Sequence, residues 1–378
     1  MKSRKRILLG QLASNGDCLY ATTVARQIKT DYPDCHLTWA IGSRWRSIID
    51  GNPDVDEVWE IPYYDVPGHL EQWKRFEVEA RSRQKNGDFD EVFLTQFSLD
   101  NLHFWTGGVR EAILRAYRHP ITVNKTPVVR LSNSEVENVR QFATHHQLTE
   151  KSQVILFECG PRSEQSLVNP QFALDFARHI TKKLPDVAVV LSSYHSFESD
   201  HPGIIDGSEL TVRENAELTS FCSLLIGASS GITWIATSDW AKSLPMVQLV
   251  IPDAVRSNSV AYDFAQRGAD ASQLIEMHRY DLQTVVDCAA QIISIDFAST
   301  KSKYHQTTPF NFRRYQDYQY LLMLNFRLRQ CFQLFSMAVK EYGLRAPFVW
   351  IPFLLIFKAA LSFPRRVTAR VKRVIFRR

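Results

Sequence analysis

Residues 5–43 read KRILLGQLASNGDCLYATTVARQIKTDYPDCHLTWAIGS. KRILLGQL is a short apolar run of strand type, CLYATTVARQIKTDYP carries apolar residues at helical spacing and ends at a proline, and HLTWAIGS is again a strand. Strand, helix, strand is the repeating unit of a parallel, doubly wound sheet. The pattern continues: RWRSIIDGNP reads as a short helix stopped by Gly and Pro, VDEVWEIP as a strand, HLEQWKRFEVEARSRQ as a helix and FDEVFLTQ as a strand.

At residues 119–135 the chain turns to HPITVNKTPVVRLSNSE, rich in Pro, Asn and Ser, before a helix near 133–148. The alternation then restarts with VILFECG (strand), PQFALDFARHITKKLP (helix with proline first), VAVVLSSY (strand), RENAELTSFCS (helix), LLIGASS (strand), GITWIATSDWA (helix) and MVQLVI (strand). The expected fold class is α/β, with Rossmann-like domains at residues 1–150 and 151–300 and a helical extension at 301–378. No repeat of solenoid period is present.

The extension opens with FNFRRYQDYQYLLMLNFRLRQCFQLFSMAVKEYG, read as one long aromatic and basic helical segment. Residues Ala346–Phe357 carry no charge, but Lys358 and the prolines 347, 352 and 364 interrupt a run that falls short of the ~20 apolar residues of a membrane span. Val367, Val371, Val374 and Ile375 fall at i, i+4, i+7 and i+8 among Arg and Lys, an amphipathic basic pattern suited to an anionic membrane surface. Residues 346–378 are therefore expected to associate with such a surface, as a peripheral or monotopic anchor. The alternative is that the apolar run packs on the protein body.

The 378 residues are 45% hydrophobic and 22% charged, enough apolar material for two cores. Net charge is +5, yet the last fifteen residues hold seven Lys or Arg and no acid, leaving residues 1–363 at 38 basic against 40 acidic. The basicity belongs to the tail, so nucleic acid is not an expected partner. Six cysteines without a C-x-x-C pair suggest reduced thiols in a cytoplasmic protein, and the first apolar run is too short for a signal peptide.

The opening stretch, with its Ser-Asn-Gly-Asp loop between strand and helix, resembles the family 9 glycosyltransferases, the ADP-heptose:lipopolysaccharide heptosyltransferase group. NPDVDEVWEIP, GDFDEVFLTQ and IIDGSELTVRENAELTSFCSLLIGASSGITWIAT resemble further family segments in the same order, across roughly residues 5–297. The resemblance implies a GT-B fold, in which two Rossmann-like domains face a cleft. The N-terminal domain would hold the acceptor and the C-terminal domain a nucleotide-sugar. It also implies inverting, metal-independent transfer with the loop Asp as general base, a role that falls on Asp17, with Ser14, Asn15 and Gly16 as the acceptor-side loop. Asp17 has a plain alternative as the N-cap of the following helix.

On the donor side the family's Asp-Thr-Gly and following His become Ser229, Ser230, Gly231 and Trp234. Serines and glycine at a helix start still suit a phosphate. Arg162, with Ser163 or Ser166, could neutralise a diphosphate, and Asp206 could accept a ribose hydroxyl, although an Asx turn suits Asp206 better. Two D-x-D strings, Asp54–Asp56 and Asp88–Asp90, precede strands and read as solvated turns. No H-E-x-x-H, G-x-G-x-x-G or Walker string occurs, so no metal and no cofactor are expected beyond the nucleotide-sugar as co-substrate.

The function expected is glycosyl transfer to a lipid-linked or cell-surface glycan acceptor at the cytoplasmic face of a bacterial inner membrane. The alternatives are a nucleotide-sugar epimerase of the same build and a catalytically degenerate, membrane-bound sugar-nucleotide-binding or scaffold protein.

Overall fold

In a computed structural model of the chain, residues 4–62, 69–160, 165–251 and 259–351 are described. Contacts divide it into two units, Met1–Gln96 with Gly107–Pro309, and Phe97–Thr106 with the chain from Phe310 onward.

The first unit holds two wholly parallel sheets, which define two lobes. The first contains β1 (Arg6–Gly10), β2 (His36–Gly42), β3 (Glu57–Ile61) and β4 (Glu91–Leu94), in the order β3-β2-β1-β4. Ile7, Leu8 and Leu9 are successive and all fully buried, as a strand covered on both faces requires. Two helices link these strands: α1 (Asn15–Asp31), with eleven buried residues, and α2 (His69–Lys85), which buries Trp73, Phe76 and Ala80 along one stripe. α3 (Val109–Ala116) packs on α1. Then comes α4 (Asn133–His145), opened by a capping box between Ser132 and Glu135.

The second sheet joins β5 (Gln153–Glu158), β6 (Val187–Ser192), β7 (Ile204–Asp206), β8 (Leu224–Gly227), β9 (Met246–Leu249) and β10 (Leu274–Met277), in the order β10-β9-β8-β5-β6-β7. Its helices are α5 (Pro170–Lys183), α6 (Asn215–Leu218), α7 (Gly231–Ile235), α8 (Val260–Arg267), α9 (Leu282–Ser294) and α10 (Phe297–Tyr304). Phe157 of β5 meets Phe176 of α5 at 4.9 Å between ring centroids, in a core that runs on to Val285 and Ala289 of α9. β10 escapes an apolar-run reading because Glu276 interrupts LIEM. That carboxylate is fully buried yet satisfied, accepting from Ser259 Oγ at 2.8 Å, from the Ala261 N–H at 3.0 Å and from Thr308 Oγ1.

Two helical readings need correction. GITWIATSDWA forms only the five-residue α7, and the long segment after residue 310 is two helices, α11 (Phe312–Leu324) and α12 (Leu328–Tyr342). The break is at Phe326, whose φ of 57° is left-handed and cannot continue a helix.

The second unit gathers α11, α12 and Phe97–Thr106 around an aromatic core. Phe310 lies 5.5 Å from Trp105, 4.5 Å from Tyr342 and 5.4 Å from Phe348, and Tyr342 Oη donates to the Thr106 carbonyl at 2.7 Å. Among the described residues no helix is long and apolar enough to cross a membrane. Most of the expected membrane segment, 352–378, lies outside the described residues.

Candidate functional site at the junction of the two lobes

Open parallel sheets bind ligands beyond the carboxyl ends of their strands, where the strand order reverses. In the first sheet that place is between β1 and β4, and in the second between β5 and β8. The segment leaving β1 carries Ser14–Asp17, and the segment leaving β8 carries Ser229–Gly231. The two meet. A Cβ added to Gly231 would lie 2.8 Å from the Asn15 Cβ, and one added to Gly16 would lie 3.1 Å from Trp234 Cδ1.

Ser14 is the N-cap residue of α1 by backbone position, although its side chain makes no capping bond. Asp17 is therefore in the helix's first turn, half-buried, where the N-terminal partial positive charge favours a carboxylate. The loop in front of it is fixed by Gln96, just beyond β4. Its Oε1 accepts from the N–H groups of Leu12 and Ala13 and from Gln11 Nε2, each at 3.0 Å. Asn15 Nδ2 donates across the junction to Tyr194 Oη at 3.2 Å.

The turn after β8 differs from the open phosphate cradle its residues suggest. Glu158, at the end of β5 and fully buried, sends its carboxylate into that turn. It accepts from the N–H of Ala228 at 2.7 Å, the N–H of Ile232 at 3.2 Å, Thr233 Oγ1 at 2.6 Å and Ser230 Oγ. The protein's own anion thus holds most of the donors that a phosphate would need. A five-residue helix also sums few peptide dipoles, so α7 offers an anion little further field. Ser229 is fully buried at φ 55°, with its N–H given to Gln248 Oε1 at 3.0 Å.

Arg110 of α3 ties this turn to the other lobe. Its Nη2 donates to the Ser229 carbonyl at 2.8 Å and its Nη1 to Asp263 Oδ2 of α8 at 3.0 Å, both side chains being buried. Its guanidinium lies 4.2 Å from the Trp234 ring centroid, and Tyr20 of α1 meets the same indole edge-on at 5.1 Å. Burial pushes the Asp263 carboxyl up to about 6 despite the opposing pull of Arg110. Further links cross the seam. Arg26 reaches Asp239 at 3.3 Å, and Lys125 Nζ reaches the Gln266 carbonyl at 2.7 Å. Arg213 donates to the carbonyls of Ser47 at 2.9 Å and Asp50 at 3.0 Å.

The other expected donor residues have partners of their own, and Gln165, just before Ser166, donates to the Ser229 carbonyl at 3.3 Å. Ser166 Oγ shares a hydrogen bond with Tyr280 Oη at 3.1 Å and accepts from the Val168 N–H at 3.2 Å. Asp206 closes its own turn, accepting from the Ser208 N–H and Oγ at 2.9 Å each. Arg162 and Ser163 lie outside the described residues. In the D-x-D strings, Asp56 accepts from the Leu37 N–H at 2.7 Å and pairs with Arg4 at 3.0 Å and with Lys29, and Asp90 accepts from the Arg6 N–H at 2.7 Å. They staple the starts of β2 and β1 while remaining exposed, in keeping with the solvated turns expected. Among the described residues no group of three or more His, Cys, Asp or Glu is placed to hold a metal.

Similarity to solved structures extends across both lobes. The chain aligns with a family 9 glycosyl transferase from Veillonella parvula at a TM-score of 0.54 and 15% identity, covering 80% of this chain and 97% of that one. The architecture is GT-B. Against ADP-heptose lipopolysaccharide heptosyltransferase II of E. coli the TM-score is 0.51 at 13% identity, with 76% and 98% covered. A UDP-N-acetylglucosamine 2-epimerase follows at 0.48 and 14%, with 92% and 98% covered. At such identities the likeness is one of fold, and it agrees with the family resemblance of the opening strand–loop–helix. A scan of protein-family models and a search of curated proteins return no match. GT-B lobes account for the two switch points facing each other. The signal for Glu158 was present in VILFECG, an acid inside an otherwise apolar strand.

Proposed function

We propose that the protein is an inverting, metal-independent glycosyltransferase that moves a sugar from a nucleotide-sugar to a lipid-linked or cell-surface glycan acceptor at the cytoplasmic face of the inner membrane. The observation that carries this is that the Asn15–Gly16 segment, which leads directly into Asp17 in the first turn of α1, meets the turn after β8 at the strand-order reversals of two GT-B lobes. In this reading Asp17 takes the proton from an acceptor hydroxyl as that oxygen attacks the anomeric carbon and the bond to the leaving phosphate breaks on the opposite face. The partial positive charge of the helix N-terminus favours a carboxylate there, and Asp17 is only half-buried. Because Glu158 already takes most of the turn's donors, we assign the leaving phosphate to the charge of Arg162 and the hydroxyl of Ser163.

The test is thermal-shift binding of ADP, UDP, GDP and CMP with their sugar conjugates to the full chain, then turnover with a glycolipid extract. Consumption of one sugar conjugate only when acceptor is present, lost in Asp17→Ala with nucleotide binding kept, is the expected result. Consumption without acceptor would make the protein an epimerase. Glu158's occupation of the turn favours a second reading, a sugar-nucleotide-binding protein without turnover, in which Asp17→Ala changes nothing.

A further inference from the structure

The described residues expose twelve large apolar side chains, and seven of them fall between Leu321 and Trp350. Phe326 is 86% exposed, Phe332 69%, Leu328 68% and Trp350 65%, with Leu321, Leu344 and Val349 beside them in sequence. The packing of the second unit accounts for none of them, since α12 turns Leu334 and Ala338 inward and leaves Leu328 and Phe332 on the outer face with Arg329 and Lys340.

Phe326 is the most telling. It stands at the corner between α11 and α12 with φ 57°, a conformation suited to Gly or Asn and costly for a bulky side chain. Neither burial nor backbone geometry selects a phenylalanine there. An exposed phenylalanine held there suits a contact outside the chain.

Charge identifies the occupant. Residues 310–351 carry six Lys or Arg against two acids, and of those acids Glu341 is engaged by Thr106 Oγ1 while Asp317 is exposed on α11. The chain then continues directly into residues 352–378, which contain eight Lys or Arg and no acid. Aromatic and aliphatic side chains interleaved with cations, and followed by an acid-free basic segment, fit the boundary between acyl chains and anionic headgroups. We infer that the α11–α12 corner is a membrane-docking wedge: Phe326, Leu328 and Phe332 enter an anionic bilayer while Arg329, Lys340 and Arg345 stay at the headgroups. This stands whatever reaction the lobes perform, and it assigns apolar insertion to the hairpin and leaves long-range attraction to the basic tail.

The experiment is co-sedimentation of the full chain with vesicles of phosphatidylcholine containing about one-quarter phosphatidylglycerol. The variants are Phe326→Asn with Phe332→Ser, and, separately, a tail variant with Arg365, Arg366, Arg370, Lys372 and Arg373 changed to Gln. The hairpin variant is expected to keep its melting temperature, since Asn suits the left-handed corner, and to bind about tenfold or more weakly, the loss persisting in high salt. The tail variant is expected to lose binding mainly at low salt. As a second reading on the native fold, the Trp350 contribution to fluorescence, obtained by difference from Trp350→Phe, is expected to shift to the blue on vesicle addition. Unchanged binding by the hairpin variant would overturn the inference. So would absence of binding by the native chain, or a native dimer that the hairpin substitutions convert to monomer.

Discussion

Asp263 gives the sharpest test of the seam between the lobes. Its folded carboxyl sits near 6 because burial outweighs Arg110, against an unfolded value of 3.8. Below both values the group is protonated in either state. As pH rises the unfolded chain ionises first, so the stability that the protonated form contributes is lost progressively until the folded carboxyl has ionised too. The difference of roughly 2 pK units corresponds to about 3 kcal/mol, and about half of that falls between roughly pH 5 and pH 7. Asp263→Asn keeps the shape and cannot titrate, so urea midpoints of native and Asn variant should converge or cross as pH rises. The difference in unfolding free energy should move by about 1 kcal/mol in favour of Asn between about pH 5 and pH 7. Charges facing the group are Arg110, Arg267 and Glu276, and all remain in both proteins, as do carboxylates with the opposite slope such as Asp56 and Glu135. A difference that stays constant with pH would refute the reasoning and mean that Asp263 is ionised throughout. Asp263→Ala, which leaves Arg110 buried without its partner, should cost about 3–5 kcal/mol.

Other expectations concern single groups at the junction. Asp17→Asn should lower turnover by about two to four orders of magnitude while leaving the nucleotide-induced melting shift in place; loss of that shift would mean the residue supports the fold or the donor instead. Glu158→Gln sets an amide N–H against the N–H groups that the carboxylate accepts from, and should lower unfolding free energy by about 2–4 kcal/mol in urea titration. An unchanged midpoint would show the carboxylate cage to be unimportant. Gly227→Ala places a Cβ 2.3 Å from Thr233 Oγ1 and 2.4 Å from Gln248 Nε2, so a loss of about 1–3 kcal/mol is expected, read by the same titration.

What could be read before the structure follows from how local each signal is. β1, β5 and β6 are apolar runs ended by Gly, Pro or polar residues, β2 is one broken only by Thr38, and their parallel pairing is the natural consequence. The corner at Phe326 was hidden because apolar spacing continues through it, and only the backbone conformation stops the helix. The junction was half legible. The loop before α1 announces itself by Ser-Asn-Gly-Asp, but Arg110 and Asp263 stand 153 residues apart on helices whose charges would ordinarily be assigned to solvent. Glu158 is legible only in part for a related reason: an acid within a strand has meaning only once the turn after β8 closes around it.

Arg213, buried and donating to the carbonyls of Ser47 and Asp50 while paired with Glu135, ties the two lobes together across the seam. Arg110 and Asp263 form a clasp elsewhere along it. Any ligand that enters only when the clasp is undone encounters the protein mostly in the other state, and its apparent dissociation constant is the intrinsic one divided by the fraction undone. Each tenfold bias toward the clasped state therefore weakens apparent binding tenfold without touching a single ligand contact. Affinity for such a ligand would be set partly by residues it never meets.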